Sequence, residues 1–295
     1  MRVAHISDFH YTVLTWNPLR LCSKRFFGHF NWIFRRDREF SPTQIDPLID
    51  LFQDLKVDLV LLGGDFTTTS LPEEFQKANA FVSKLSQPWI AIPGNHDHYT
   101  HRSHRQKRYY QYFTNQRTEP FSLTSDQLEA HSIAPGWWVV ALDTSQPTAI
   151  TSSEGFFSPH LEAKLEKLFT QLPTQDRVIL FNHYPFLQND IPQRNLTRGE
   201  ALEALIRRHP QICLYLHGHT HRHILADLQS SGLPLVSDSG SCTQGPRGSW
   251  NLIDLESQGC SVTVYRWNRG WYLAKQEAFT WKRHPDGVAI VPRPH

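Results

Sequence analysis

Five short clusters along the chain hold side chains able to bind cations or move protons. They are Asp8-Phe9-His10, Gly63-Gly64-Asp65, Gly94-Asn95-His96-Asp97, Asn182-His183-Tyr184-Pro185 and His217-Gly218-His219-Thr220-His221. Their donors are imidazole, carboxylate and amide oxygen without thiolate, a set that favours borderline ions such as Mn, Fe, Zn or Co over a structural zinc. Enough donors are present for two ions. Two cations roughly 3.5 to 4 Å apart can each bind a substrate oxygen, lower the pKa of a bridging water and neutralise charge that builds during displacement at phosphorus. Residues two apart on an extended segment share a face. That spacing predicts that Asp8 and His10 converge on one ion, and that His219 and His221 can do the same. A single Asp at a strand end is more often a turn or cap residue; the joint occurrence of the five clusters is what points to chemistry.

The elements around these clusters support the same reading. Apolar runs at Val3 to Ser7, Leu59 to Leu62, Trp89 to Ile92, Val139 to Leu142, Val178 to Phe181 and Cys213 to Leu216 have the character of buried strands. Helices are expected between them at Pro42 to Leu55, Pro72 to Leu85, Pro159 to Leu172 and Gly199 to Arg208. Ser41 and Ser158 each precede a proline, the arrangement of an N-cap followed by Pro at the first helical position. Strand and helix alternate, so the fold class is α/β. The clusters therefore fall where strands give way to loops, and the crevice beyond strand carboxyl ends is where open α/β sheets bind ligands. After His221 the chain reads as hairpin strands, at Ile224 to Leu228, Leu233 to Ser237, Trp250 to Leu255 and Ser261 to Trp267. One catalytic domain over 1–281 is expected, with a tail over 282–295.

Composition narrows the partners. Thirty Lys+Arg against 28 Asp+Glu leave a formal charge of +2, too small by itself to indicate nucleic acid. No apolar run approaches the ~18 residues of a membrane span. Cys22, Cys213, Cys242 and Cys260 lie far apart and are expected to be free thiols. The first strand begins at once, with no signal-peptide pattern before it, and a cytoplasmic location follows as an expectation.

Taken in order, D-F-H, G-G-D, G-N-H-D, N-H-Y-P and H-G-H-T-H resemble the five blocks of the calcineurin-like metallophosphoesterases, over about three quarters of the chain. The resemblance implies a four-layer α/β/β/α sandwich of two mixed sheets flanked by helices. It implies one metal at Asp8, His10 and His221, another at Asn95, His183 and His219, and Asp65 bridging both, with Mn the favoured ion. His96 matches the family's general acid, with Asp97 beside it to orient it. A metal-bridging hydroxide would then attack phosphorus directly. Asp143 ends a strand and resembles a further ligand by position, but loop support is the better reading. His217 is open between support of the site and a plain strand residue, while His5, His98, His101, His104 and His223 are read as structural or surface residues.

What selects the substrate lies between His10 and Pro42. From Arg20 to Arg38 there are six Lys/Arg against one Asp, and Leu19, Cys22, Phe26, Phe30 and Ile33 follow helical spacing. Three readings of 19–40 stay open: an amphipathic element at an anionic membrane face, a helix packed on the domain, and a substrate clamp through Lys24 and Arg25. Its Ser-Lys-Arg start and later Gly and Asn-Trp resemble a subgroup that includes bacterial UDP-2,3-diacylglucosamine pyrophosphatases. The leading expectation is therefore a membrane-associated pyrophosphate lipid, with peripheral attachment at the inner face of the membrane. The alternatives are a soluble phosphodiesterase or phosphomonoesterase acting on nucleotides, and a peripheral binding module whose metal site is only structural. Nucleic acid is disfavoured, and the sequence leaves the oligomeric state open.

Overall fold

In the computed structural model, which describes residues 1–13, 42–115, 121–149, 151–188 and 190–282, the apolar runs form strands and the proline-led segments form helices. In chain order the elements are β1 (Arg2–Ile6), α1 (Pro47–Asp54), β2 (Leu59–Leu62), α2 (Pro72–Val82), β3 (Trp89–Ala91), α3 (His101–Arg105), α4 (Leu123–Asp126), β4 (Leu128–Ala134), β5 (Trp137–Leu142), β6 (Gly155–Phe156), α5 (Pro159–Phe169), β7 (Arg177–Phe181), β8 (Leu196–Thr197), α6 (Gly199–Arg208), β9 (Ile212–His217), β10 (Ile224–Asp227), β11 (Leu235–Asp238), β12 (Ser249–Leu255), β13 (Gly259–Trp267) and β14 (Trp271–Thr280).

Two six-stranded mixed sheets result, ordered β14-β13-β12-β1-β2-β3 and β10-β11-β9-β7-β5-β4. In the first, β1, β2 and β3 are parallel and β12 runs antiparallel to β1. In the second, β11, β9, β7 and β5 are parallel, with β10 and β4 antiparallel at the two edges. Strand periodicity explains why the central strands are apolar throughout. In β2, Leu59 and Leu61 face the second sheet alongside Ile179, Phe181, Leu214 and Leu216, whereas Val60 and Leu62 face Phe52 of α1 and Phe75 of α2. On the far side, Leu161, Leu165 and Leu168 of α5 and Leu202, Leu205 and Ile206 of α6 cover Val178 and Leu180. The layers are α/β/β/α, as the resemblance implied.

Several expectations shift in detail. The first helix starts at Pro47, after a separate 3-10 turn at Pro42–Gln44, and the Ser41 cap lies outside the described residues. Ser158 does cap α5, its Oγ accepting the Leu161 N–H at 3.0 Å. β4 and β14 were not foreseen. Both are sheet edges; β14 is largely exposed, and the buried half of β4 includes the polar Glu129 and His131, so neither carries the apolar pattern by which buried strands are recognised. The C-terminal strands form hairpins as expected, but β10 and β11 extend the second sheet while β12 to β14 extend the first. Cys213, Cys242 and Cys260 are free. Among the described residues no helix is long and apolar enough to cross a membrane.

Candidate metal centre

Parallel strands deliver the five clusters to one place. Asp8 follows β1, Asp65 follows β2, Asn95 follows β3, His183 follows β7, and His219 and His221 lie just beyond β9. The chain turns sharply at the donors themselves: φ is 59° at Asp8, 48° at His10, 54° at Asp65, 72° at His219 and 55° at His221. These are left-handed values that non-glycine residues rarely adopt and that concentrate at functional sites.

Two overlapping ligand groups result. Asp8, His10, Asp65 and His221 offer atoms within 4.8 Å of one another, as do Asp65, His183 and His219. The shared residue is Asp65, whose Oδ2 stands 3.8 Å from His10 Nε2 and 3.6 Å from His183 Nε2. His10 Nε2 and His221 Nε2 are 3.0 Å apart, and His221 Nε2 is 3.1 Å from Asp8 Oδ1. The extended-chain expectation that His219 and His221 meet on one ion is thereby corrected. Each goes to a different group, because the backbone turns at both residues instead of running extended.

The donor atoms fit cations. Asn95 Oδ1 and His183 Nε2 are buried and have no hydrogen-bond partner among the described residues; orphaned buried polar atoms are costly unless an ion or water serves them. The opposite nitrogen of each second-group imidazole is already engaged. His183 Nδ1 lies 2.7 Å from the Gly63 carbonyl and His219 Nε2 lies 2.9 Å from the Arg194 carbonyl. With those nitrogens protonated, His183 Nε2 and His219 Nδ1 keep their lone pairs for metal. Asp8 Oδ2 accepts from Ser7 Oγ at 2.6 Å and from His219 N at 3.1 Å. Crowding requires glycine beside this cage: a Cβ on Gly94 would lie 2.2 Å from Asp65 Oδ1, and one on Gly218 would lie 2.1 Å from Ser7 Oγ.

The electrostatics suit the same purpose. Burial opposes ionisation of Asp8 and Asp65, yet the histidines outweigh it: His221 holds Asp8 below the usual carboxylate range, and His183 holds Asp65 well below it. Burial equally opposes charge on His183, but Asp65 and Asp8 lift it to about 9. Burial and the neighbouring His183 lower His219 to about 3. Ionised carboxylates that pull a proton onto His183 form a cage in which a cation can replace that proton.

His96 borders the first group, its ring edge-on to His10 with centroids 4.8 Å apart. Its Nδ1 lies 2.7 Å from the Thr68 carbonyl and its N–H donates to Asp65 Oδ1 at 2.8 Å. Asp97 does not orient this ring, contrary to expectation. Its carboxylate accepts the N–H groups of Phe66, Thr67 and Gly94 at 3.2, 3.0 and 2.9 Å, tying two site loops together. Asp143 supports loops as expected, accepting from Ser145 N at 2.9 Å and from the Tyr110 hydroxyl and lying 3.3 Å from His98 Nε2. His217 is the last residue of β9, buried, with Nδ1 3.0 Å from the Gly218 carbonyl and 3.4 Å from Asp238 Oδ2. Lys24, Arg25 and the rest of 19–40 lie outside the described residues. Sequence reasoning passed over Thr67, Thr68 and Ser70, although the run Thr67-Thr68-Thr69-Ser70, one residue beyond Asp65, was a visible signal.

Two ligand groups sharing one carboxylate, at the adjoining strand ends of a two-sheet sandwich, define a dinuclear-type metal-dependent phosphoester hydrolase. The chain belongs to the calcineurin-like phosphoesterase family, whose sequence profile matches residues 1–223. It is 26% identical over 219 residues to a probable cyclic nucleotide phosphodiesterase of Synechococcus sp., covering 71% of this chain and 76% of the relative. It is 24% identical over 304 residues to a 3',5'-cyclic-nucleotide phosphodiesterase of Nostoc sp., covering 98% and 95%. A probable glycerophosphodiester phosphodiesterase of Arcobacter nitrofigilis is 29% identical over 171 residues, 57% of this chain and 58% of that one. A dimetal phosphatase from Danio rerio shares the fold, with TM-score 0.67, 17% identity and 95% and 98% of the two chains covered. All three of these sequence relatives are named as phosphodiesterases.

Proposed function

We propose that the chain is a phosphodiesterase of small soluble diesters, with cyclic nucleotides the leading substrates and glycerophosphodiesters next. The observation that carries this reading is Asp65 standing between two ligand groups with His96 at their edge. One cation would be held by Asp8, His10, Asp65 and His221, the other by Asp65, Asn95, His183 and His219. When bound, two divalent ions, Mn first among them, supply Lewis acidity toward phosphoryl oxygen and bring the pKa of water toward neutrality.

The residues do the rest. Asp8 and Asp65 stay ionised and offset cationic charge, and the carbonyls of Gly63 and Arg194 fix how His183 and His219 point. A water oxygen forms the new bond to phosphorus as the ester P–O bond breaks, one of its protons staying on the product and the other passing to solvent, from which His96 is later reprotonated. His96, protonated on Nε2, then gives that proton to the departing alkoxide. Because water attacks directly, no covalent enzyme intermediate forms.

The test supplies metal-free protein with Mn²⁺ and compares a 3',5'-cyclic nucleotide, a glycerophosphodiester and micellar UDP-2,3-diacylglucosamine. Higher kcat/KM on the soluble diesters supports the proposal. Preference for the nucleotide lipid overturns it in favour of a lipid-facing role for 19–40. His96→Asn separates enzyme from binding module, since an enzyme loses turnover while keeping its metals.

A further inference from the structure

Four hydroxyl residues that follow Asp65 and Phe66 are almost wholly buried: Thr67 at 0%, Thr68 at 2%, Thr69 at 1% and Ser70 at 0% exposure. Burying hydroxyls is costly unless they are bonded, and each of these has a partner. Thr67 Oγ1 lies 2.9 Å from the His96 carbonyl and 3.1 Å from Asp97 Oδ1. Ser70 Oγ donates to the same His96 carbonyl at 2.8 Å and accepts the Tyr99 N–H at 2.8 Å. Thr68 Oγ1 donates to the His10 carbonyl at 3.1 Å, while the Thr68 carbonyl faces His96 Nδ1. The far end is pinned by Glu74, whose carboxylate accepts the N–H groups of Thr69 at 2.8 Å and Leu71 at 3.0 Å.

Between them Asp65 and this segment hold the N–H, the carbonyl and the Nδ1 of His96. A backbone carbonyl is an acceptor only, so the bond to Thr68 requires the proton on Nδ1. With Nδ1 holding that proton, the general-acid reading assigns the exchanged proton to Nε2. Thr68 also joins His96 to His10 of the first ligand group, which fixes the spacing of acid and metal site.

We propose that Thr67–Ser70 is a positioning strap that sets the tautomer and direction of His96, and so governs proton delivery to poor leaving groups. The idea rests on the general-acid reading of His96 given above. Thr67 and Ser70 touch no reacting atom and act through His96.

The test measures kcat for Thr67→Val, Thr67→Ser and Ser70→Ala, each loaded with Mn²⁺, on diesters with an alkyl or a p-nitrophenyl leaving group. p-Nitrophenolate departs without an acid, whereas an alkoxide does not. General acids contribute about 10²–10⁴-fold, so a partly misdirected His96 should cost about tenfold on the alkyl diester and less than about threefold on the aryl one. Metal content should stay at the wild-type value and Thr67→Ser should recover the alkyl rate. Should Thr67→Val fail to fold, Ser70→Ala carries the same comparison. In a His96→Ala background the strap substitutions should cost nothing further. Equal losses on both leaving groups, or an undiminished loss without His96, would overturn the strap. A His96→Ala enzyme that keeps full alkyl activity would instead sink the general-acid reading beneath it.

Discussion

A methyl group on Gly94 would meet Asp65 Oδ1 at 2.2 Å and the Asp65 backbone nitrogen at 2.5 Å. The carboxylate shared by both ligand groups would have to move, so Gly94→Ala should lower bound metal and turnover together. The readouts are elemental analysis and diester hydrolysis, and normal activity with full metal content would refute the crowding argument. His183 gives a second prediction. In metal-free protein it sits at about 9, so at pH 7 it carries a proton that a cation must displace. Metal affinity should rise with pH up to about 9, with proton release visible as a dependence of the calorimetric heat on buffer ionisation enthalpy. His5 behaves oppositely. Buried against Phe181 with neither ring nitrogen partnered, it is pushed by burial and by His217 from 6.5 down to about 3. Below pH 6.5 the unfolded chain binds a proton there that the native one refuses, so stability falls as pH falls from 6.5 toward 3, by at most about 1.4 kcal/mol per pH unit for one group. Denaturant unfolding across that window should show a shallower slope for His5→Phe. The donors themselves were legible in the sequence, because Asp, Asn and His at the ends of apolar runs have few other reasons to recur together. Their division between two ions was not legible from spacing, since His219 and His221 take positive φ values that residue types do not announce. The partner of Asp97 was equally hidden: adjacency to His96 suggested contact, whereas the carboxylate turns to the backbone of Phe66 and Thr67.

Elements place these residues by ordinary means. α5 begins at Pro159 behind the Ser158 cap and presents Leu161, Leu165, Leu168 and Phe169 to the second sheet, a stripe whose spacing follows the helical period. Removing the cap by Ser158→Ala should cost about 1 kcal/mol in urea unfolding while leaving metal content and kcat unchanged. A loss of activity at unchanged stability would mean that α5 does more than cover the sheet. Interior strands and the four long helices could be read from sequence because they bury a periodic apolar face. β14 could not: Tyr272 and Leu273 remain about half exposed at 48% and 54%, and its polar residues answer to solvent instead of a core. Helix ends also moved by a few residues, α2 stopping at Val82 and α5 at Phe169, because apolar residues continue past the last helical turn.

Across the whole molecule, the two sheets matter because each supplies part of the centre. β1, β2 and β3 bring Asp8, Asp65 and Asn95, while β7 and β9 bring His183, His219 and His221, and the apolar layer between Leu61 and Phe181 keeps them in register. The joint occurrence of five clusters was visible in the sequence, and the family resemblance implied a shared Asp65, but spacing alone did not show that donors from opposite sheets would meet at that residue. The central claim is that turnover needs both ligand groups filled. Its most direct test is titration of metal-free protein with Mn²⁺, following bound metal and hydrolysis of a soluble phosphodiester together. The expected result is two ions per chain, little turnover at one equivalent and full turnover at two, with Asp65→Asn defective in both. Full activity with no metal, or with a single ion per chain, would contradict it.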